Sequence, residues 1–187
     1  MTAPSPGGPG GTLLLGPPGG IRLTVIPAGS IAPHLGALAH LAHAAFTPHP
    51  WYAAPIDTAR LIDRLIRDAH HLAFVLVLAE DTSGCPVGFA YGRRGGHLAA
   101  LAERLPASSA PPFELRELAV VPHACGHGIG AALHDRLINT SPAGPRWLLT
   151  HPHAAPALAL YRSRGWHTAK VLHLPNDKVR ILMHRPW

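Results

Sequence analysis

The chain is poor in acidic residues, in clustered basic residues and in long apolar runs. The last two shortages each exclude a class of partner. Asp and Glu make up 10 of the 187 residues against 16 Lys and Arg, which gives a formal charge of +6. The basic residues are scattered rather than grouped in a stripe with aromatic residues, so we predict no nucleic-acid partner. No apolar run approaches the roughly 18 residues that span a bilayer, so we predict no membrane partner.

Cysteine is also scarce, whereas histidine is abundant. Cys85 and Cys125 are too few for a disulfide framework and are typical of a reducing cytoplasm. The chain has 15 histidines, among them His40 and His43 on one predicted helix. No pair of them is accompanied by Cys or a carboxylate at a recognised ligand spacing. We therefore expect a cytoplasmic location and no metal site.

Length and composition indicate one globular domain that follows a tail. Hydrophobic residues make up 47% of the chain and charged residues 14%, which is typical of a folded domain. Residues 1–20 are rich in Pro and Gly and lack the basic start and apolar core of a signal peptide, so we predict a disordered tail. Residues 21–187 form the predicted domain, which we expect to be a monomer or a homodimer.

Hydrophobic periodicity predicts elements in the order β-α-α-β-β-β-α-β-α-β-β. Ser30 and Asp57 are expected to cap the first two helices, and Arg64 is expected on the outer face of the second. The aromatic loop 47–52 either lines an acceptor site or packs on the surface. The predicted strands are 21–26, 72–79, 87–93, 113–121, 146–150, 166–174 and 179–184. The strand–helix–strand unit within 113–150 implies local parallel pairing.

The stretch 113–139 combines a strand, a glycine-rich turn and a helix. Pro122 ends the strand because proline offers no donor to the ladder, and Gly126, Gly128 and Gly130 follow it. Such a turn leaves backbone N–H groups unpaired at the positive end of a helix, which makes an anion-binding site. The stretch has neither the Gly-Lys-Ser/Thr of a Walker loop nor the acidic residue that a dinucleotide-binding fingerprint requires about 20 positions later.

This stretch resembles the central motif of the GNAT superfamily of N-acetyltransferases. The strand ends with Leu118-Ala-Val-Val-Pro122, and the loop is Cys125-Gly-His-Gly-Ile-Gly130, where the family usually has Gln or Arg in place of Cys125. The segment Ala157-Leu-Ala-Leu-Tyr-Arg-Ser-Arg-Gly-Trp166 is similar to a second family motif, whose frequent Asn is Ala154 here. The resemblance implies an α/β (α+β) fold: a central mixed, mostly antiparallel sheet of about six or seven strands, about four flanking helices and a parallel splayed pair at the cofactor site.

The resemblance also implies acetyl-CoA as the acyl donor and a set of site residues. The implied cofactor-binding residues are Leu118, Ala119, Val120, Val121, Cys125, Gly126, His127, Gly128, Ile129, Gly130, Ala154 and Ala157. Tyr161 matches the position that in many members protonates the departing sulfur, and a tyrosine packed in the core is the alternative. The base is Glu117 or Glu114. Because side chains alternate along a strand, these two should point to opposite faces, so that only one faces the cleft.

The function that these residues imply is an acetyl-CoA-dependent N-acetyltransferase. It would acetylate the primary amine of a small-molecule acceptor by direct attack on the thioester. The alternative is a catalytically inactive module of the same fold that binds acyl-CoA as a sensor or a structural part. Cys125 and Ala154 favour that alternative because each lacks the polar side chain that the family usually has there. The scarcity of acidic residues disfavours a polycationic acceptor.

Overall fold

The computed structural model describes residues 13–15, 20–103, 110–175 and 178–186. The strands are β1 (Leu13–Leu15), β2 (Ile21–Ile26), β3 (Val75–Glu80), β4 (Pro86–Arg94), β5 (Phe113–Val120), β6 (Arg146–Thr150), β7 (His167–Leu174) and β8 (Lys178–Arg185). The α-helices are α1 (Leu35–Phe46), α2 (Pro55–Asp68), α3 (His97–Leu101), α4 (Ile129–Thr140) and α5 (Ala155–Arg162). The order of β2 to β8 and of the longer helices is the one predicted from the sequence.

All eight strands belong to one mixed sheet in the order β1-β2-β3-β4-β5-β6-β8-β7. Strand β1 pairs antiparallel with β2 and lies inside the segment 1–20, for which we predicted disorder. Residues 1–12 and 16–19 of that segment lie outside the described residues. Every neighbouring pair is antiparallel except β5 and β6. The predicted mixed, mostly antiparallel sheet is confirmed.

The parallel pair β5–β6 separates soon after it begins. The two strands pair only between residues 113–115 and 146–148. Beyond that point β5 stays paired with β4 as far as Val120, and β6 stays paired with β8 as far as Thr150. One edge of β5 from Arg116 to Val120 is therefore not paired with β6, which confirms the predicted splay.

Apolar side chains at helical spacing fix the helices to the sheet. Leu61 and Leu65 of α2, and Leu133 and Leu137 of α4, recur every four residues and are buried in the main core. A second, smaller cluster joins α3 to strands β6, β7 and β8. Its buried members are Leu98, Ala99, Trp147, Leu172 and Leu182. Packing therefore fixes the part of the sheet on each side of the splay.

The two predicted helix caps are wrong in detail. Ser30 ends a short 3-10 turn, a second such turn follows, and α1 begins only at Leu35 after His34, which makes no side-chain cap. Asp57 lies in the first turn of α2, where its carboxylate accepts the backbone N–H of Ala54 at 3.0 Å. Pro55 sets that start, because a proline at the first helical position loses no hydrogen bond and its φ already suits the helix.

A β-bulge in β5 corrects the prediction that Glu114 and Glu117 point to opposite faces. Across the ladder Tyr91 lies opposite Glu117, and Arg93 lies opposite Glu114, with a register shift between them. Tyr91 and Arg93 are two residues apart and share a face of β4, so both glutamates lie on that same face. The bulge places one extra residue in β5 and thereby breaks the simple alternation.

Gly92 allows the close approach of β4 and β5 beside this bulge. A Cβ at Gly92 would lie 2.5 Å from the backbone oxygen of Glu114 and 2.6 Å from the ring of Phe113. We expect Gly92→Ala to lower the free energy of unfolding by about 1–3 kcal/mol, the usual cost of overpacking. Urea denaturation of wild type and variant would measure it.

Gly36→Ala is the matched control, because a Cβ there meets nothing within 4 Å. It lies in α1, where replacing glycine with alanine is expected to raise the free energy of unfolding by roughly 0.4–1 kcal/mol. If Gly92→Ala proved as stable as Gly36→Ala, the close contact between β4 and β5 would be contradicted.

Candidate active site

A cavity of about 410 Å³ lies beside the splayed strands. Residues from the end of α1, the α1–α2 loop, α2, α3, β5, β6 and β8 line it. Its apolar wall includes Phe46, Trp51, Leu98 and Leu149. Trp51 belongs to the aromatic loop 47–52, so that loop contributes one residue to the cavity wall. The alternative in which this loop lines an acceptor site stays a prediction. The cavity is within the usual size range of small-molecule sites, roughly 300–1,000 Å³.

Glu117 lies on β5 with 17% of its side chain exposed and lines the cavity. The Arg64 guanidinium donates a hydrogen bond to its carboxylate. Burial raises the pKa of Glu117, and the positive charges of Arg64 and Arg116 only partly oppose that rise. A carboxylate with a raised pKa is a stronger base near neutral pH. Glu117 thus has both the position and the basicity to accept a proton from a molecule in the cavity.

Arg64 points toward this cavity, which corrects its predicted outward orientation. The outward position followed from the periodicity of α2 alone. The ion pair with Glu117, 53 residues further along the chain, holds the guanidinium over the sheet instead. Its Nε is buried and has no hydrogen-bond partner in the described part of the chain.

Glu114 is fully buried and is not among the residues that line the cavity. One carboxylate oxygen accepts the backbone N–H of Leu98 at 2.7 Å, and the other accepts from Nη1 of Arg116 at 3.2 Å. Arg116 also pairs with Asp68 at 3.4 Å, and Asp68 accepts the Tyr91 hydroxyl at 3.3 Å. This buried network joins α2, α3, β4 and β5, so the surroundings of Glu114 favour a structural role.

Tyr161 lies on α5 and is 5% exposed. Burial is the main cause of its raised pKa, and the negative charge of Glu117 adds to the rise. The phenol therefore stays protonated at neutral pH, as an acid requires. The negative charge of Glu117 thus acts on the Tyr161 phenol, but Tyr161 is not among the residues that line the cavity.

A buried histidine network supports the ring of Tyr161, and no sequence motif predicts it. The ring centroids of Tyr161 and His134 are 6.2 Å apart. Nε2 of His134 accepts the indole N–H of Trp166 at 2.9 Å, so its proton lies on Nδ1, 2.8 Å from Asp135. Asp135 is held by two bonds from Arg164. Burial lowers the pKa of His134, so the ring is neutral.

The glycine-rich loop has the backbone shape of an anion site. Gly126 and Gly128 have φ values of +84° and +79°, which side-chain-bearing residues rarely adopt. Gly128 immediately precedes α4, and residues 125–128, including His127, are exposed. Ile129 and Gly130 begin the helix, where the backbone N–H groups have no intrahelical acceptors. The first turn of α4 contains no acidic residue that would oppose an anion.

The other predicted cofactor residues lie on or just after β5 and on or just before α5. A Cβ at Gly130 would lie within ordinary contact distance, 3.7–3.8 Å, of side chains of Leu118, Val120 and Leu160. Strand β5, the start of α4 and helix α5 thus meet at this point. Ala119 and Val121 are buried, Ala154 is buried just before α5, and Ala157 is half-buried within it.

The Cys125 thiol turns back toward the strand. Its Sγ donates to the carbonyl oxygen of Val121 at 3.5 Å and lies 3.7 Å from that of Val120. Partial burial raises the pKa of this thiol, so it remains neutral. Cys125 therefore adds no positive charge at the loop, and the backbone N–H groups supply the attraction for an anion.

Two further features concern metals and membranes. Within the described ranges, no three His, Cys, Asp or Glu side chains come together as a metal-binding group. In the same part of the chain, no helix has the length and apolar character needed to cross a bilayer.

Comparison with known proteins gives a family match and many similar folds. The acetyltransferase (GNAT) family model matches residues 36–166. A histone acetyltransferase HPA2 and related acetyltransferase from Corynebacterium glutamicum is 21% identical, with a TM-score of 0.64 over 88% of this chain and 96% of that one. The NatC complex bound to Gag peptide and CoA is 16% identical, with a TM-score of 0.63 over 89% and 98%. The ribosomal-protein-S18-alanine N-acetyltransferase from Escherichia coli is 19% identical, with a TM-score of 0.60 over 88% and 93%. No curated protein matches the chain.

Proposed function

Because this chain belongs to the GNAT family of acetyltransferases, which use acetyl-CoA, we propose that it acetylates the primary amine of a small molecule. Acetyl transfer is the activity of the family, and the small amine acceptor is our proposal. The observation that carries it is the arrangement around the splay. The glycine-rich loop at the start of α4 follows the end of β5 that is not paired with β6, and the cavity that Glu117 lines lies beside the same gap in the sheet.

The residues around the gap fit acetyl-CoA, which supplies the acetyl group as a thioester. The N–H groups of residues 126–131 would hold its pyrophosphate, since a helix start attracts anions. The edge of β5 that is not paired with β6, which includes Ala119 and Val120, offers backbone groups to its amide-containing arm and to the thioester carbonyl. Val121 follows at the end of this edge. Ala154 and Ala157 are small enough to leave room along α5.

Two side chains would move protons. Glu117 accepts a proton from the attacking amine, directly or through a water molecule, because the amine is a nucleophile only when neutral. Tyr161 supplies the proton that the departing sulfur takes. Backbone N–H groups on the edge of β5 stabilise negative charge on the carbonyl oxygen as the amine attacks. Glu114 has no contact with the cavity and would support this site only through Arg116.

Thiol release with a panel of amines tests the function. We expect acetyl-CoA to bind in isothermal titration and to release free thiol in the presence of at least one class of small amine. Binding without thiol release across a broad panel would favour the inactive module. Absence of binding at millimolar acetyl-CoA would refute both.

The two cysteines are free and exposed, which supports our proposal that the protein acts in the cytoplasm.

Gly128→Ala tests the anion site separately from the fold. A residue with a Cβ at this φ costs about 1–2 kcal/mol, and relief of that strain would tilt the first N–H groups of α4. We expect the dissociation constant for CoA to rise about tenfold or more, since hydrogen bonds to charged groups contribute about 1.5–3 kcal/mol. Isothermal titration measures this change.

Gly84→Ala is the matched control. Gly84 has φ +83° in the β3–β4 turn, and a Cβ there also meets nothing within 4 Å. Both variants should lose similar stability, but only Gly128→Ala should lose affinity for CoA. Equal affinities of the two variants would show that the loop does not bind the cofactor.

A further inference from the structure

The side chains around the cavity carry an excess of positive charge. Five basic residues line it, against two acidic ones. The acidic residues are Asp57 and Glu117, and the basic residues are Arg60, Arg64, Arg116, Lys178 and Arg180. Such a lining repels a polycationic acceptor and attracts an anionic one.

Three of the basic residues already have acidic partners. Arg64 pairs with Glu117 and Arg60 with Asp57. Arg116 pairs with the buried carboxylates behind the cavity wall. With these ion pairs formed, the positive charges of Lys178 and Arg180 on β8 have no matching negative charge among the described lining residues. Of these, Arg180 carries the inference, because residues 176–177 next to Lys178 lie outside the described ranges.

Arg180 is half-buried and held in place, yet has no acidic partner among the described residues. Its Nη1 donates to the carbonyl oxygen of Val179 at 2.8 Å, and its guanidinium carbon lies 5.5 Å from the ring centroid of Trp51. Among the described residues, Nε and Nη2 have no hydrogen-bond partner and can bind another group. These two donors form one edge of the guanidinium, which suits a pair of oxygen atoms on one carboxylate or phosphate.

The electrostatics of Arg180 differ from those of a paired arginine in the same protein. Desolvation lowers the pKa of Arg180, and no carboxylate opposes that effect. In contrast, Asp135 raises the pKa of Arg164. Arg180 still remains a cation at neutral pH. A partly desolvated cation without a counter-charge is unfavourable, so an anion from a ligand would stabilise it.

We propose that the acceptor is an amine that also carries an anionic oxygen group, a carboxylate or a phosphate, bound by Arg180. This inference rests on the proposed N-acetyltransferase function and names its substrate class. The amine faces Glu117 on β5, and the anionic group faces β8 across the splay. The apolar wall formed by Phe46, Leu98 and Leu149 contacts the part of the acceptor between or beside them. Free amino acids are the simplest members of this class.

Matched acceptor sets test the anionic group. Each set has the free amino acid, its carboxamide, the decarboxylated amine and the aminophosphonate, built on the side chains of leucine, phenylalanine and serine. Thiol release from acetyl-CoA is measured for every compound. In at least one set we expect kcat/KM for a carboxylate or a phosphonate to exceed that of the carboxamide and the amine by about 10- to 100-fold, the usual effect of a charge-assisted bond. The better of the two acids identifies which anion the site binds.

Arg180→Gln should remove this preference. We expect it to lower kcat/KM for the anionic acceptor by about 10- to 100-fold and to leave the carboxamide within about threefold. Arg180→Lys keeps the charge but loses the two-donor edge, so an intermediate value is expected. Arg22→Gln, at an exposed position on β2, makes the same change in net charge away from the cavity and should behave as wild type.

The outcomes separate this inference from the proposed function. Equal or better turnover of the carboxamide, which resembles a peptide N terminus, would overturn the anionic acceptor while leaving acetyl transfer intact. So would an active enzyme that accepts polyamines but no member of the sets. An equal loss for every acceptor in a folded Arg180→Gln, shown by an unchanged Tm, would also overturn it. If acetyl-CoA binds but no amine of any kind releases thiol, the proposed function itself fails.

Discussion

Replacing Tyr161 with phenylalanine is expected to lower kcat by about 10²–10⁴-fold, the usual effect of one positioned proton donor. The affinity for acetyl-CoA should change little, because the hydroxyl acts on the leaving sulfur rather than on the bound ground state. The ring is kept, and with it the contacts to His134 and Trp166, so Tm should also change little. Initial rates with the best acceptor, isothermal titration and thermal melting measure the three quantities.

Tyr91→Phe provides a second buried tyrosine for comparison. Tyr91 is fully buried and its hydroxyl donates to Asp68 at 3.3 Å, so its loss leaves a buried carboxylate with one donor fewer. That variant should lose about 1–3 kcal/mol of stability and change kcat far less than Tyr161→Phe. A Tyr161→Phe enzyme within twofold of wild type, with the same pH dependence, would leave Tyr161 as a core residue.

The sequence predicts those parts of the site that depend on local backbone chemistry. Pro122 ends β5 wherever that strand lies, and the positive φ of Gly126 and Gly128 is available to glycine in any context. Gly165, with φ +76°, follows the end of α5, and the N–H of Trp166 bonds back to the carbonyl oxygen of Tyr161 at 3.1 Å. Short segments of this kind carry their own conformational preference, so the strand, loop and helix of the motif were predicted correctly.

What the sequence does not predict depends on partners that are distant along the chain. The orientation of Arg64 follows from Glu117, and the burial of His134 follows from Trp166, 32 residues away. The bulge in β5 lies where β4 has Gly92 opposite Leu115 and the two strands approach closely. Helical and strand periodicities describe one element at a time, so they place polar side chains outward by default. The bulge puts both glutamates on one face, and Arg64 pairs with the one that lines the cavity.

Their partners, rather than their orientation, distinguish the two candidate bases. With both glutamates on one face, orientation alone cannot separate them, but their partners can. Both carboxylate oxygens of Glu114 accept hydrogen bonds, one from the N–H of Leu98 and one from Arg116. Glu117, in contrast, borders the cavity. Replacing Glu117 should therefore affect mainly the rate, and replacing Glu114 mainly the stability.

Glu117→Gln is expected to lower kcat by about 10²–10⁴-fold, because an amide cannot accept the proton of the amine. In wild type the base must be ionised, so kcat should fall as pH drops through the pKa of Glu117, which burial raises above its ordinary value of 4.5. The variant should lose this acidic limb of the pH profile. Profiles of kcat at saturating acetyl-CoA, from pH 5 to pH 9, measure both effects.

Glu114→Gln is the matched carboxylate-to-amide change on the same strand. It leaves Arg116 with one buried partner fewer, so we expect a loss of about 1–3 kcal/mol in the free energy of unfolding, while the acidic limb of kcat remains. The opposite pattern, with the limb lost in Glu114→Gln and kept in Glu117→Gln, would assign the base to Glu114. Retention of the limb in both variants would leave neither glutamate as the base and would indicate that the amine enters the cavity already neutral.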